Sequence, residues 1–155
     1  LVHGLDLDPA KIADATREFL RTGVTLYEDS LPTLRELRTR GVRTAVVSNC
    51  DHTTRPVIER LGLEEEAGAV ILSFEVRAAK PDPAIYVAAL ERLGVTASET
   101  AFADDQARYC DGAAGLGMTT FLVHRDGAVP AEGVGEPGGH RVIGDLRALV
   151  DSIEI

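Results

Sequence analysis

The seven residues 100–106, Thr-Ala-Phe-Ala-Asp-Asp-Gln, indicate both the fold class and the place where a ligand binds. A short apolar run ends in two adjacent carboxylates, Asp104 and Asp105, and a helix-like segment, 107–116, follows at once. In a parallel α/β sheet, ligands bind at the carboxyl ends of the strands. Two neighbouring acids are costly to ionise unless a cation lies between them, and Mg²⁺ is the usual one. A capped helix N-terminus is the alternative interpretation of the same pair.

The composition describes a chain of single-domain size whose main partner is neither nucleic acid nor an anionic membrane. A chain of 155 residues buries about two-thirds of its unfolded surface. The formal net charge of −9 disfavours phosphate backbones and anionic lipids, and no apolar run approaches the ~20 residues of a membrane span. The two cysteines, Cys50 and Cys110, are far apart and lack the spacing of a metal site, so a reducing cytoplasm is the expected location.

The order of apolar and amphipathic segments predicts a three-layer, doubly wound α/β fold. Strand-like runs alternate with helix-like segments, and the strands are apolar without polar alternation, as in a parallel sheet that is covered on both faces. The predicted strands are 42–47, 69–74, 101–104 and 119–123, and the predicted helices are 9–20, 30–40, 52–61, 83–93, 107–116 and 144–153. Residues 126–140 are rich in glycine and proline, which indicates a surface loop.

Two further polar groups follow predicted strands, as the carboxylate pair does. Ser48 and Asn49 supply a hydroxyl, an amide and turn N–H groups near a helix start, where an anion such as phosphate binds; an ordinary turn is the alternative. Lys80 lies in the segment Lys-Pro-Asp-Pro at 80–83, although 14 of the 16 basic residues are arginine. A compact ammonium balances a carboxylate and a phosphoryl oxygen in close quarters. A solvated surface lysine is the alternative here.

A hydroxyl, a lysine and a carboxylate pair, each after a strand and in this order, are more specific together than any one alone. We expect all three in a single pocket, because the carboxyl ends of parallel strands meet at one edge of a sheet. The segments Ala45–Asn49, Lys80–Tyr86 and Phe102–Met118 resemble the second, third and fourth motifs of the haloacid dehalogenase (HAD) superfamily, and the resemblance covers residues 26–125. It implies a Rossmann-like sheet and a Mg²⁺-dependent phosphohydrolase that acts on a small phosphorylated metabolite through an aspartyl-phosphate.

The resemblance also implies a role for each candidate residue. Ser48 binds the phosphoryl group, with Asn49 beside it. Lys80 is the catalytic lysine that steadies the nucleophile and the intermediate, and it contacts the phosphoryl group as well. Asp105 ligates Mg²⁺, and Asp104 lies in the metal shell or next to it.

The first motif of the family, an apolar strand ending in Asp-x-Asp-Gly-Thr, carries the nucleophile and the general acid/base and has no clear counterpart here. The only Asp-x-Asp lies at 6–8, and Pro9 follows it in place of Gly-Thr. Asp8 as a helix N-cap is the favoured interpretation, and a degenerate first motif is the alternative. Residues 1–25 then resemble the final helix of the cap that many members insert, and residues 26–155 form the core domain.

The missing strand has a consequence for the sheet. In the family it runs between the strands that end at Ser48 and Asp104, so its absence leaves a gap of about two strand spacings, near 10 Å. Backbone groups on both sides of that gap then lack partners. Three sources for the strand stay open: residues upstream of Leu1, the segment Leu1–Leu7, or a partner chain, either in a homodimer or as a strand donor.

Three functions are compatible with these residues. The first is a HAD-type phosphohydrolase in which Ser48, Lys80 and Asp105 belong to the phosphate, lysine and metal sites. The second is a catalytically inactive member that binds a phosphorylated ligand or a protein. The third is a metal-free dehalogenase. The Asp104–Asp105 pair speaks against a dehalogenase, since carbon–halogen displacement needs no cation to hold a phosphate.

Overall fold

The computed structural model describes residues 8–125 and 139–152, in which helices alternate with parallel strands. The strands are β1 (Ala45–Ser48), β2 (Ala69–Leu72), β3 (Ala101–Asp104), β4 (Thr119–Val123) and β5 (Arg141–Ile143). The helices are α1 (Pro9–Thr22), α2 (Ser30–Thr39), α3 (Arg55–Arg60), α4 (Leu63–Glu66), α5 (Ser73–Val76), α6 (Pro83–Leu93), α7 (Ala107–Ala114) and α8 (Arg147–Ser152). None of the described helices is long and apolar enough to cross a membrane.

The strands form two parallel sheets in the described part of the chain. β1 pairs with β2, and the second sheet has the order β3-β4-β5, with every pair parallel. No strand pairing joins β1 to β3 within residues 8–125 and 139–152, so the sheet is divided where the sequence analysis places the missing strand. The predicted α/β class with parallel strands is confirmed. The division of the sheet also agrees with the predicted gap.

The longer helices begin and end at caps that the sequence supplies. Asp8 accepts the N–H of Ala10 at 3.0 Å, and proline occupies the first position of α1. Asp82 accepts the N–H of Ala84 at 2.9 Å at the start of α6. α6 ends at Gly94, whose φ of 64° lies in the left-handed region that glycine adopts without steric cost. These caps place α6 at its predicted bounds and α1 within two residues of them.

The strand β2 is shorter than its prediction of 69–74. It ends at Leu72, and α5 begins at Ser73. The Ser73 hydroxyl accepts the Cys50 N–H at 2.8 Å and donates to the Cys50 carbonyl at 2.9 Å. One side chain therefore holds the carboxyl ends of β1 and β2 together.

The other differences concern the ends of β1, α7 and α8, which the sequence predicts at 42–47, 107–116 and 144–153, and several short elements. The predicted helix 52–61 divides into a 3₁₀ turn, capped where Asp51 accepts the Thr53 N–H at 2.9 Å, and α3. α4 and β5 are absent from the sequence prediction, because elements of four and three residues carry too little periodicity. Residues 126–138 of the predicted loop and residue 153 of the predicted last helix lie outside the described residues.

The largest core cluster fixes α6 and α7 against the strands. Ile85 and Tyr86 on α6 are 0% and 1% exposed, and they share this cluster with Ile71 of β2 and Ala113 of α7. Burial of each large apolar side chain contributes about 1.5–3 kcal/mol. The loops that precede α6 and α7, which carry the candidate residues, are therefore held by well-packed helices.

A buried aspartate ties the start of the core to its end. Asp29 is 1% exposed, accepts the N–H of Leu146 at 2.7 Å and forms an ion pair with Arg125 at 3.1 Å. Burial alone would raise the pKa of this carboxyl. The Leu146 N–H and the Arg125 guanidinium outweigh burial and hold the pKa below its usual range.

Candidate active site

A buried ion pair joins the loop before α6 to the end of β3. The Lys80 ammonium lies 2.7 Å from the Asp104 carboxylate (Nζ to Oδ2), and the two side chains are 9% and 8% exposed. The ammonium also lies over the rings of Phe102 and Tyr109, 5.7 Å and 5.0 Å from their centres. Because little water reaches the pair, each charge depends on the other for its stabilisation.

Asn49 holds Lys80 in place through its main chain. The Asn49 Oδ1 accepts the Lys80 N–H at 2.7 Å, and the Asn49 Nδ2 donates to the Lys80 carbonyl at 2.9 Å. The same Nδ2 donates to the Tyr109 hydroxyl at 3.2 Å. One amide therefore links the end of β1 to the lysine loop and to α7. The three polar groups that follow strands in the sequence thus meet at one edge, through Asn49, Lys80 and Asp104.

Ser48 is the last residue of β1, half-buried and next in sequence to Asn49. Its carbonyl lies 3.7 Å from the Cys50 thiol. Within the described residues, its hydroxyl forms no hydrogen bond, which leaves this donor for a ligand. The structure therefore places Ser48 beside the Asn49–Lys80 contact.

The two neighbouring carboxylates have different environments. Asp104 uses both oxygens, Oδ2 on Lys80 and Oδ1 on the N–H of Gln106 at 2.9 Å. Asp105 is exposed, and its carboxylate makes no ion pair or hydrogen bond with any described residue. Asp104 is the last residue of β3 and Asp105 follows the strand, so the two side chains have different neighbours.

This donor set fits a magnesium ion. Mg²⁺ is usually bound by one or two carboxylates together with water and substrate phosphate. Asp104 and Asp105 supply two carboxylates at one strand end, and Asp105 is exposed to solvent. Residues 8–125 and 139–152 contain no cluster of three His, Cys, Asp or Glu side chains that would hold a metal without such help.

Tyr109 is a central residue of the site that the sequence pattern does not indicate. Its hydroxyl receives hydrogen bonds from Asn49 and from the Arg108 guanidinium, the latter at 2.8 Å. The guanidinium also stacks on the Tyr109 ring, 4.6 Å from its centre. The sequence position does not indicate this role, because an aromatic residue on the buried face of a helix ordinarily indicates core packing.

Tyr86 holds Tyr109 in place. Its hydroxyl donates to the Tyr109 carbonyl at 2.8 Å, and its ring meets Phe102 edge to face, with the centres 5.3 Å apart. Burial, with a further contribution from the Asp104 carboxylate, raises the pKa of Tyr86 to about 12. The phenol therefore remains a neutral donor at any physiological pH.

Gly112 allows α7 to approach the lysine loop closely. A Cβ at this position would lie 2.9 Å from the Pro81 carbonyl oxygen and 2.9 Å from the Tyr86 hydroxyl. A Cβ atom does not approach other heavy atoms so closely in real proteins, so the loop that follows Lys80 requires glycine on the facing helix. The sequence pattern does not reveal this role, because a glycine inside a helix pattern carries no information about what packs against it.

Cys110 lies against the site but takes no part in its chemistry. Its thiol contacts the Phe121 carbonyl at 3.5 Å and the Asp104 carbonyl at 3.9 Å, and the residue is fully buried. Burial and, second to it, the negative charge of Asp104 raise the pKa of the thiol to about 11. A neutral, enclosed thiol packs as a small apolar group.

Known proteins resemble this chain over most of its length. The sequence model of the haloacid dehalogenase-like hydrolases matches residues 4–117. Phosphatase MT3486 of Mycobacterium tuberculosis (strain CDC 1551 / Oshkosh) is 37% identical over 127 residues, which cover 81% of this chain and 56% of that protein. (S)-2-haloacid dehalogenase 4A of Burkholderia cepacia is 30% identical over 108 residues, which cover 69% of this chain and 47% of that protein.

Solved structures show the same likeness in three dimensions. The HAD phosphatase from Thermococcus onnurineus superposes with a TM-score of 0.75 at 27% identity, covering 96% of this chain and 65% of that one. The chain spans about half the length of the two curated relatives named above.

Proposed function

The chain belongs to the haloacid dehalogenase-like hydrolases, and from this membership we propose that it is a Mg²⁺-dependent phosphatase for a small phosphorylated metabolite. The observation that carries the proposal is the buried Lys80–Asp104 pair, 2.7 Å apart and clamped by Asn49. A cation and an acid enclosed at a strand end suit a small anionic group, and the phosphatase among the relatives supports this substrate class. The free thiols of Cys50 and Cys110 favour a cytoplasmic location.

We assign the grip on the phosphoryl group to Lys80 and Ser48. An ammonium has three N–H donors, of which one is directed to Asp104, so the others are left for phosphoryl oxygens. The Ser48 hydroxyl at the end of β1 is a further donor. Asn49 acts on Lys80 and orients it. Donors held before the substrate arrives stabilise developing charge without having to reorganise during the reaction.

Asp105 and Asp104 would hold the metal. When bound, Mg²⁺ neutralises phosphoryl charge and helps to orient the group for attack. The chain itself contributes an exposed carboxylate, Asp105, and a second one, Asp104, whose position is fixed by Lys80 and by the Gln106 N–H. Asp105 is exposed, whereas Asp104 is enclosed together with Lys80.

The described residues assign no attacking carboxylate to the proposed aspartyl-phosphate mechanism. Of the Asp-x-Asp at 6–8, residues 6 and 7 lie outside the described residues, and Asp8 accepts the Ala10 N–H as the cap of α1. This contact supports the N-cap interpretation of Asp8. We propose that a strand between β1 and β3 carries the nucleophilic carboxylate. Ser48 ends β1 and Asp104 ends β3, so the carboxyl end of that strand would lie between them.

A haloacid dehalogenase is the second candidate, because a protein of that name is 30% identical to this chain. In that reaction Lys80 would stabilise a carboxylate or a leaving halide, and the exposed Asp105 would have no role. An inactive member that binds a phosphorylated ligand is the third candidate.

The test compares hydrolysis and ligand binding in the full chain and in two lysine variants. Lys80→Met removes the candidate cation, and Lys11→Met removes the other lysine, which is exposed on α1. We expect hydrolysis of p-nitrophenyl phosphate that requires Mg²⁺, is lost in Lys80→Met and is retained in Lys11→Met. The double variant Lys80→Met/Asp104→Asn separates loss of function from the instability of an unpaired buried charge.

Each alternative predicts a different result. Inorganic phosphate that raises the melting temperature without any turnover indicates the inactive, ligand-binding member. Chloride release from a 2-haloacid in the presence of a chelator indicates the dehalogenase. Equal hydrolysis by the parent chain and Lys80→Met would refute the assignment of the lysine.

A further inference from the structure

Arg108, in the first turn of α7, places a second cation beside the candidate active site. Its guanidinium lies 4.6 Å from the centre of the Tyr109 ring, and the Lys80 ammonium lies 5.0 Å from the centre of the same ring. The two cations are therefore no more than about 10 Å apart. The proposed grip on a single phosphoryl group makes no use of this second cation.

The guanidinium also lies near the amide that orients Lys80. The Arg108 Nη2 and the Asn49 Nδ2 donate to the same Tyr109 hydroxyl oxygen, at 2.8 Å and 3.2 Å, so the two nitrogens lie within about 6 Å of each other. Asn49 follows Ser48, the last residue of β1. The arginine therefore borders the space in which Ser48 and Lys80 are proposed to hold a phosphoryl group.

The orientation of the Arg108 guanidinium is fixed by two neighbours. Its Nε donates to the Gln106 Oε1 at 3.1 Å, its Nη2 donates to the Tyr109 hydroxyl, and the group stacks on the Tyr109 ring. An exposed arginine ordinarily loses side-chain freedom when it binds a ligand, and this lowers the affinity. The contacts of Arg108 order its side chain before a ligand arrives.

Most of the hydrogen-bonding capacity of Arg108 is unused. A guanidinium has five N–H donors, of which one is directed to Gln106 and one to Tyr109. The side chain is exposed, and it forms no ion pair with a carboxylate in residues 8–125 and 139–152, although Asp105 is close in sequence. The other three N–H groups, on Nη1 and Nη2, are therefore left for an anionic ligand.

We propose that Arg108 forms a subsite for a second anionic group of the substrate, so that the chain selects phosphate monoesters that also carry a carboxylate or a second phosphate. This inference rests on the proposed phosphate site at Ser48 and Lys80. A guanidinium presents paired N–H donors that match the oxygens of a carboxylate or a phosphate. Because the two cations are so close, a short linker joins the two anionic groups of the ligand.

The partners of Arg108 distinguish it from an ordinary surface arginine. Arginines elsewhere in this acidic chain form ion pairs, for example Arg55 with Glu75 and Arg125 with Asp29. Arg108 is instead held by an amide oxygen and a phenol, which are neutral and leave its charge available. A small substrate also fits better than an acidic macromolecule, because the net charge of −9 repels polyanions.

The experiment is a calorimetric titration of the full chain with matched ligands, in the presence of Mg²⁺ and at constant ionic strength. 3-Phosphoglycerate carries a carboxylate where glycerol 3-phosphate carries an alcohol, and inorganic phosphate reports on the phosphate site alone. We expect 3-phosphoglycerate to bind about tenfold or more tightly than glycerol 3-phosphate, although the net charge of the chain disfavours the more anionic ligand. Propane-1,3-diol bisphosphate carries a second phosphate instead, and the larger gain of the two identifies the preferred anion.

Two arginine variants locate the subsite. Arg108→Gln removes the guanidinium, and Arg92→Gln removes an exposed charge from the last turn of α6, at the end away from Lys80. The ratio of the affinities for the two monoesters should fall to within about twofold of one in Arg108→Gln and stay within about twofold of the parent ratio in Arg92→Gln. A purely structural effect through Tyr109 would weaken both monoesters alike and leave the ratio unchanged.

The outcomes separate this inference from the function on which it rests. Failure of inorganic phosphate and of all the esters to bind would overturn the phosphate site and the subsite together. Phosphate binding with no gain from either second anionic group would overturn the subsite alone. A ratio that Arg108→Gln retains, or that Arg92→Gln loses, would do the same.

Discussion

Substituting Gly112 with alanine tests whether close packing between α7 and the lysine loop positions the site. The new Cβ would lie 2.9 Å from the Pro81 carbonyl oxygen, 2.9 Å from the Tyr86 hydroxyl and 3.0 Å from the Pro81 Cβ. Overpacking of this kind costs about 1–3 kcal/mol. Replacing glycine by alanine inside a helix returns about 1 kcal/mol. We therefore expect a net loss of roughly 0–2 kcal/mol in the free energy of unfolding.

The larger effect of Gly112→Ala concerns function. Two of the three close contacts involve Pro81, the residue after Lys80, so relief of the clash moves the lysine loop away from α7. The two hydrogen bonds between Asn49 and the Lys80 backbone then weaken. We expect affinity for inorganic phosphate to fall by about tenfold or more, which corresponds to about 1.4 kcal/mol of lost positioning.

Gly115→Ala is the matched control, since Gly115 follows the end of the same helix with an ordinary right-handed φ of −60°. A Cβ there would meet only the Asp111 and Gly112 carbonyl oxygens, at 3.4 Å and 3.5 Å. We expect this variant to be more stable by about 0.4–1 kcal/mol, with unchanged phosphate affinity. Urea titration and calorimetric phosphate titration measure both quantities. The reasoning fails if Gly112→Ala matches Gly115→Ala in stability and in affinity.

Two further predictions concern groups with shifted pKa values. Burial would raise the folded-state pKa of Asp29, but the Leu146 N–H and Arg125 lower it below the unfolded value near 3.8. The contribution of Asp29 to stability is therefore present above pH 3.8 and is lost as the pH falls through the lower folded pKa. Asp29→Asn should therefore cost about 1–3 kcal/mol at pH 7 in urea titrations, and the difference from the parent should narrow below pH 4; a constant difference would contradict the ion-pair explanation. The Cys110 thiol, with a pKa of about 11 and no exposure, should not react with Ellman's reagent at pH 8 in a Cys50→Ser background until urea unfolds the chain, and rapid labelling of the native protein would show that the thiol is not enclosed.

The bounds of the longer helices follow from local sequence chemistry, whereas the short elements do not. Asp82-Pro83 at the start of α6 and Gly94 at its end are strong signals that act within a few residues, so their prediction needs no knowledge of the fold. β5 has three residues and is defined by its pairing with β4, a contact between distant parts of the chain. Such pairings leave no periodic trace in so short a segment.

The composition of the site was similarly predictable in part. The order of Ser48, Lys80 and the acid pair along the chain indicates a shared edge, because parallel strands align their carboxyl ends. Which of the two acids meets Lys80 is not visible in the sequence, since adjacent aspartates look alike until the strand orients them. The roles of Tyr109 and Gly112 are not visible in the sequence for a related reason. The hydrogen-bond partners of Tyr109 lie 23 and 60 residues away, and the contacts at Gly112 are fixed only by packing.

The most direct test of the central claim, that one pocket holds both a phosphoryl group and its metal, is a calorimetric titration of the full chain with inorganic phosphate, with and without Mg²⁺. If Lys80, Ser48 and the acid pair form a single site, each ligand raises the affinity for the other by the same factor. We predict at least tenfold tighter phosphate binding with Mg²⁺ and loss of most of this gain in Asp105→Asn, whose exposed side chain leaves stability within about 0.5 kcal/mol of the parent. Phosphate affinity that is the same with and without Mg²⁺, or a gain that Asp105→Asn fully retains, would contradict the account.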